Sequence, residues 1–185
     1  MIYVLTGNGK GKTTCAVGMG IRAAGAKKRV LMVQFLKTGD SSENKAIKKI
    51  KNFEIKSFGR KGFFVPKKEL KRKPELKKAG VKPFLKKDFQ LAKKGFEFVK
   101  KVLELKKYQL LILDEVCVVV HFKLIDKNDI LNFLKKFKQN EEVDIVLTGR
   151  YCPEEIIKIA DLVTEMKEIK HYYKRKVKAR KGLEY

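Results

Sequence analysis

The sequence has no tryptophan, three cysteines, two histidines and four prolines in 185 residues. Cys15, Cys117 and Cys152 are odd in number, widely spaced and set in apolar or turn contexts, so they read as reduced thiols. No pair of them has the spacing of metal ligands, and His121 and His171 lie too far apart to suggest a zinc site. No apolar run approaches the ~20 residues that a membrane span requires. The chain opens directly on a strand-like run with no signal peptide ahead of it, and a cytoplasmic protein without membrane association is expected. Acidic residues are also scarce: 21 Asp and Glu stand against 45 Lys and Arg, a formal charge of +24. Such a field attracts nucleic acid, anionic membrane or a polyphosphate substrate. The lysines are spread along most of the chain, however, which favours a lysine-biased or heat-adapted surface over a dedicated nucleic-acid face.

What is present is a core. Hydrophobic residues make up 44% of the chain, and the length suits one domain over 1–185, a sheet with helices on both faces. Its organising stretch is Ile2 to Thr14, IYVLTGNGKGKTT. The apolar run Ile2 to Leu5 predicts a buried strand, the turn after it carries Gly7, Gly9 and Gly11, and the small residues from Cys15 to Ala26 predict a helix. A strand that re-enters as a helix through glycines leaves backbone N–H groups unpaired at one point, where the helix dipole also favours anions. Lys12 supplies a point charge for outer phosphate oxygens, and the Thr13 hydroxyl suits magnesium. The general pattern G-x-x-x-x-G-K-[ST] places its first glycine where Thr6 stands, so this loop is about one residue tighter than the generic form.

Val30 to Phe35 predicts a second buried strand, and Lys37, just beyond it, is placed to meet a ligand in the crevice of a parallel sheet. Ser41 to Lys51 reads as a short helix and Phe53 to Phe58 as a strand. From Gly59 to Pro83, glycines and prolines punctuate a lysine-rich stretch that contains Phe63 and Phe64. A segment of roughly 25 residues of this kind is usually a functional loop or a disordered one; the aromatics favour a mobile substrate-covering loop, the alternative being that one or both only anchor it to the core. Leu85, Phe89, Ala92, Phe96, Val99 and Leu103 recur at helical spacing and predict one core-facing stripe.

Gln109 to Glu115, QLLILDE, brings two carboxylates to the end of a buried strand, where magnesium needs a partner for the phosphate loop; Asp114 and Glu115 both fit. His121, in the apolar run Val116 to Phe122, reads as a packed or hydrogen-bonded histidine in preference to a catalytic base. Asp126 predicts the cap of a helix reaching Gln139, and Asp144 to Leu147 a strand that carries Arg150 to its phosphate-facing end. Pro153 opens a short helix and Leu162 to Met166 is a last strand. The basic, aromatic tail from Lys167 to Tyr185 suits either RNA or an arm folded over a large ligand.

In order, TGNGKGKTT, VQFLKTG, LILDE, VLTGR and ADLVTEM followed by KHYYKRKVKARKGLEY resemble the P-loop type of ATP:corrinoid adenosyltransferase from Ile2 to Tyr185. The resemblance implies a single doubly wound, mostly parallel sheet of the P-loop NTPase-like, RecA-like kind. It implies transfer of the 5′-deoxyadenosyl group of ATP to the Co(I) centre of a corrinoid, with triphosphate expelled and the nucleotide bound in reverse orientation. ATP would then be held by Gly7, Asn8, Gly9, Lys10, Gly11, Lys12, Thr13, Thr14 and, more weakly, Arg150. Lys12, Thr13 and Glu115 would do the catalytic work, with Mg2+ (or Mn2+) on Thr13 and Glu115. Phe63 and Phe64 would meet the corrinoid; since Val65 stands where some members carry tryptophan, either Phe63 or Phe64 would displace the lower cobalt ligand or the preferred corrinoid lacks a strongly bound one. A reductase partner for Co(II) and a homodimer are implied by the same analogy, the second subunit covering a corrinoid that some relatives cover with an N-terminal helix. A nucleic-acid-dependent P-loop ATPase and a non-catalytic corrinoid or nucleotide carrier are the competing readings; nucleic acid is not the expected partner.

Overall fold

The computed structural model describes residues 1–138, 143–175, 177 and 179–183. Six strands form one wholly parallel sheet: β1 (Ile2–Thr6), β2 (Val30–Phe35), β3 (Phe53–Phe58), β6 (Leu110–Asp114), β7 (Asp144–Thr148) and β8 (Leu162–Glu165), in spatial order β3-β2-β6-β7-β1-β8. Two further strands, β4 (Phe64–Val65) and β5 (Lys82–Pro83), pair only with each other.

Side-chain alternation along each strand divides the core into two layers. Val4, Leu31, Val33, Phe35, Leu111, Leu113, Ile145 and Leu147 face one way. There they meet α5 (Lys86–Glu104), α6 (Val116–His121), α7 (Lys127–Lys138) and α8 (Glu154–Ile159). Leu5, Val30, Met32, Leu110, Ile112 and Val146 face the other way, under α1 (Lys12–Gly25) and α2 (Ser42–Ile47). The expected doubly wound α/β architecture is present.

Four local expectations are corrected. Helix α1 starts at Lys12, not Cys15, because Gly11 (φ 113°) turns the backbone directly into it. The core stripe on α5 is shorter than its periodicity: Ala92, Phe96 and Val99 are buried, while Leu85 is 53% and Phe89 43% exposed. Leu85 precedes the helix and Phe89 meets Phe84 edge-on at 6.4 Å, so spacing alone overstated the stripe. Residues 59–83 are not a structureless loop; they contain β4, β5 and two short helices, α3 (Lys67–Arg72) and α4 (Pro74–Lys78), neither with a buried residue. Val116 to Phe122 begins a helix, and His121 lies exposed, stacked on Tyr151 at 4.5 Å, instead of packed inside. The end expected for α7 at Gln139 falls outside the described residues, as do Lys176, Lys178, Glu184 and Tyr185 of the tail.

Candidate active site

The C-terminal ends of the parallel strands form one polar line. Thr6, last residue of β1, donates to Gly149 O at 2.9 Å. Thr148, last of β7, donates to Asp114 Oδ1 at 2.7 Å. Gln34 on β2 donates to Asp114 Oδ2 at 3.2 Å, and Ser57 on β3 donates to Gln34 Oε1 at 3.0 Å. Five adjacent strands are thereby stitched across the edge where a doubly wound sheet binds its ligand.

Asp114 is the centre of that line and is fully buried. Besides Thr148 and Gln34, it accepts from Thr13 Oγ1 at 2.8 Å on Oδ1 and from Lys37 Nζ at 2.7 Å on Oδ2. Both oxygens therefore carry two donors, which uses the acceptor capacity of a carboxylate. Burial alone would push the Asp114 carboxyl up; the Lys37 charge and the donated hydrogen bonds outweigh it and hold the group below its ordinary range. Lys37 is pushed the opposite way: burial lowers it, but Asp114 and Glu115 raise it further, so the ion pair is charged on both sides.

Glu115 behaves differently although it is the next residue. It sits in the left-handed region (φ 63°), costly for a residue with a Cβ, as it turns from β6 into α6. Its backbone N–H donates to Thr148 Oγ1 at 3.0 Å, while its carboxylate accepts no hydrogen bond among the described residues. Burial and the neighbouring Asp114 charge push its carboxyl up, against the pull of Lys37, Lys12 and Arg150. A carboxylate surrounded by cations and without a fixed donor is free to ligate.

The glycine turn is held by its own lysine and by the strand exit beside it. Lys12 Nζ donates to Gly7 O at 2.8 Å and to Gly9 O at 2.6 Å. Burial and the Arg150 charge lower its pKa. Gly9 N donates to Met166 O at 2.6 Å. The approach explains two glycines: a Cβ on Gly7 or Gly9 would lie 2.5 or 2.7 Å from that same oxygen. Thr6 stays in the strand, so the tight turn spans only Gly7 to Gly11. Asn8, Lys10, Thr14 and Arg150 are exposed around it. The tail returns here too, since Lys10 Nζ donates to Leu183 O at 2.7 Å.

A second wall is aromatic. Gly59, which opens the 59–83 segment, packs against the exit of β2 so closely that a Cβ would lie 2.3 Å from Lys37 N. Phe64 stacks on Phe84 (centroids 6.4 Å), Phe84 meets Phe122 at 5.7 Å, and Phe122 meets Tyr151 at 6.2 Å, beside Arg150. Of the two expected aromatics, Phe64 is buried and Phe63 is 78% exposed.

The family model described as "ATP:corrinoid adenosyltransferase BtuR/CobO/CobP" matches residues 1–185. The chain belongs to that family. Relatives called corrinoid adenosyltransferase include one from a Sinorhizobium species, 31% identical, with 100% of this chain aligned to 80% of the relative. Those of Escherichia coli K12 and Salmonella typhimurium are each 28% identical, with 100% of this chain aligned to 85% of theirs. Among solved structures, a KaiC-like protein from Pyrococcus horikoshii is similar at 14% identity and a TM-score of 0.47, covering 91% of this chain and 73% of that one. The general activity of this adenosyltransferase is thus ATP-dependent transfer of an adenosyl group to a corrinoid.

The adenosyltransferase brings Lys12, Thr13, Glu115 and Arg150 into one electrostatic neighbourhood, with Lys37 joining them. Phe63 and Phe64 stand apart from that group, on the aromatic wall. Sequence reading had no place for Thr148, Phe84, Phe122 or Tyr151. Thr148 carried a usable signal, being the last residue of a strand that ends at a glycine. The others did not, because the rings meet only through folding.

Proposed function

We propose that the adenosyltransferase presents C5′ of ATP to a Co(I) corrinoid and releases triphosphate. The cobalt electron pair forms the Co–C bond as the C5′–O bond breaks, and the electrons of that bond leave on the triphosphate oxygen. No general base is required, because the metal of the substrate is itself the nucleophile. The protein positions the reactants and stabilises the leaving anion.

The observation that carries this reading is the contrast between the two carboxylates, one saturated with donors and one with none. Asp114 sets the Thr13 hydroxyl in place, and Glu115 remains open beside it. Thr13 Oγ1 and the Glu115 carboxylate are hard oxygen ligands that suit Mg2+ or Mn2+, and they would hold it. When bound, that ion neutralises charge on the triphosphate. Lys12 exchanges its two loop carbonyls for phosphate oxygens, stronger acceptors for an ammonium. The amides from Gly9 to Thr13 and the hydroxyl of Thr14 complete the cradle, with Gly7, Lys10 and Gly11 shaping it, Arg150 at its flank and Asn8 toward the ribose. Phe63 meets the corrinoid, with Phe64 behind it. A reductase supplies Co(I) from Co(II), and a second copy of the chain covers the corrinoid in a homodimer.

Incubation with ATP, magnesium and chemically reduced corrinoid under anaerobic conditions tests the reading. The expected products are light-sensitive adenosylcorrinoid and inorganic triphosphate in equal amounts. Orthophosphate without a cobalt–carbon product would overturn it.

A further inference from the structure

We propose that Arg60 is a positioning residue that aims the exposed ring of Phe63 by clamping its neighbour Phe64. The proposal rests on the reading of the 59–83 segment as the corrinoid-facing loop. Arg60 makes a two-toothed contact with Asp88: Nε donates to Oδ1 at 2.7 Å and Nη2 to Oδ2 at 2.6 Å. Asp88 is itself immobilised, since it is buried in the first turn of α5 and accepts the Leu85 N–H at 2.7 Å. The other face of the clamp is aromatic, with the guanidinium carbon 4.2 Å from the centroid of the Phe64 ring. One planar group therefore fixes a carboxylate at its edge and a ring on its face, which a lysine ammonium cannot do together.

The clamp determines where Phe63 goes. Phe64 and Val65 pair with Lys82 and Pro83, and Lys82 N donates to Phe63 O at 2.9 Å while Phe84 N donates to Val65 O at 3.0 Å. Successive side chains of an extended strand point to opposite sides. With Phe64 held beneath Arg60 and against Phe84, Phe63 is turned outward and is 78% exposed. A loop fastened only for stability would bury both rings. Here one ring gives purchase and the other is held in solvent at the end of a short, hydrogen-bonded lever. The lysine-rich excursion of α3 and α4 hangs from this base without contributing a buried side chain.

The test compares Arg60→Ala, Arg60→Lys, Phe63→Ala and the double variant Arg60→Ala/Phe63→Ala. Hydrogen exchange at the Lys82 and Phe84 amides is expected to speed up about tenfold in both Arg60 variants. The corrinoid KM is expected to rise about tenfold in both, with the ATP KM within about twofold of wild type. In the Phe63→Ala background, Arg60→Ala should add nothing to the corrinoid KM while still raising exchange. A wild-type-like Arg60→Lys, an equal rise in the ATP KM, or additive losses in the double variant would each overturn the proposal. Wild-type protein that makes no adenosylcorrinoid would instead sink the corrinoid reading and the substrate half of this inference with it, while the exchange measurement still judges the clamp.

Discussion

The two walls of the crevice are fastened by different means. On the phosphate side, Thr6, Gln34, Ser57, Asp114 and Thr148 at the strand ends are tied into one line of hydrogen bonds, while the Glu115 carboxylate beside them is left open. Asp114 alone joins β2, β6, β7, the start of α1 and Lys37, and is fully buried. On the aromatic side, α3 and α4 bury nothing, and the segment is held at its base by one arginine fork, two short strands and stacked rings. The difference suits the reaction proposed above. A triphosphate leaving group would need donors fixed to within tenths of an ångström, whereas a large, flat corrinoid would have to enter and leave past its cover.

The sharpest way to break the phosphate wall is Lys12→Ala. Loss of the lysine whose ammonium is held by the carbonyls of Gly7 and Gly9 should lower kcat by about 10²–10³-fold or more, with the aromatic wall untouched, as followed by adenosylcorrinoid formation. Asp114→Ala attacks the same wall through stability. It takes away the close partner of the Lys37 ammonium and should cost about 3 kcal/mol in urea unfolding. Lys37 then keeps only a long contact with Glu43 at 3.9 Å among the ion pairs described, so Asp114→Ala with Lys37→Met should be less destabilised than Asp114→Ala alone.

The same pair sets a pH window. Asp114 titrates lower when folded than when unfolded, so its contribution is complete above the unfolded carboxylate value of about 4 and is lost as pH falls through the folded one. Lys37 titrates higher when folded, so its contribution is complete below the unfolded value of about 10 and is lost as pH rises through the folded one. Stability due to the pair should be flat between about pH 4 and 10, and Asp114→Asn should remove the Asp114 share of the acid limb, leaving the share of other carboxyls held low by their partners, such as Asp88 and Asp161.

Smaller effects are expected on the aromatic wall. Phe63→Ala should reduce turnover more with corrinoid supplied as Co(II) and a reductant than with prereduced Co(I). Equal losses would reject the role of that ring in displacing the lower cobalt ligand. The smallest effect is expected at Phe89: that ring is 43% exposed and keeps an edge contact with Phe84 at 6.4 Å, so Phe89→Ser should cost about 1 kcal/mol, against about 3–5 kcal/mol for Phe96→Ala two turns further along the helix. Equal costs at the two sites would restore the full stripe that periodicity suggests.

Chain order and local chemistry were enough for the outline of the phosphate wall, though not for Thr148. The strand Ile2 to Leu5, the glycine turn, Lys12, Thr13 and the paired carboxylates could be read directly, because each element lies within a few residues of sequence. The parallel sheet followed from apolar runs alternating with helical periodicity. Only the fold could divide the work between Asp114 and Glu115. Adjacent carboxylates look alike in a sequence, and what separates them is that β6 buries the first among four donors while a left-handed turn carries the second away from any. Tertiary structure likewise decided which of Phe63 and Phe64 is held and which is shown. That choice depends on Arg60 reaching a carboxylate 28 residues away, a contact that no local periodicity encodes.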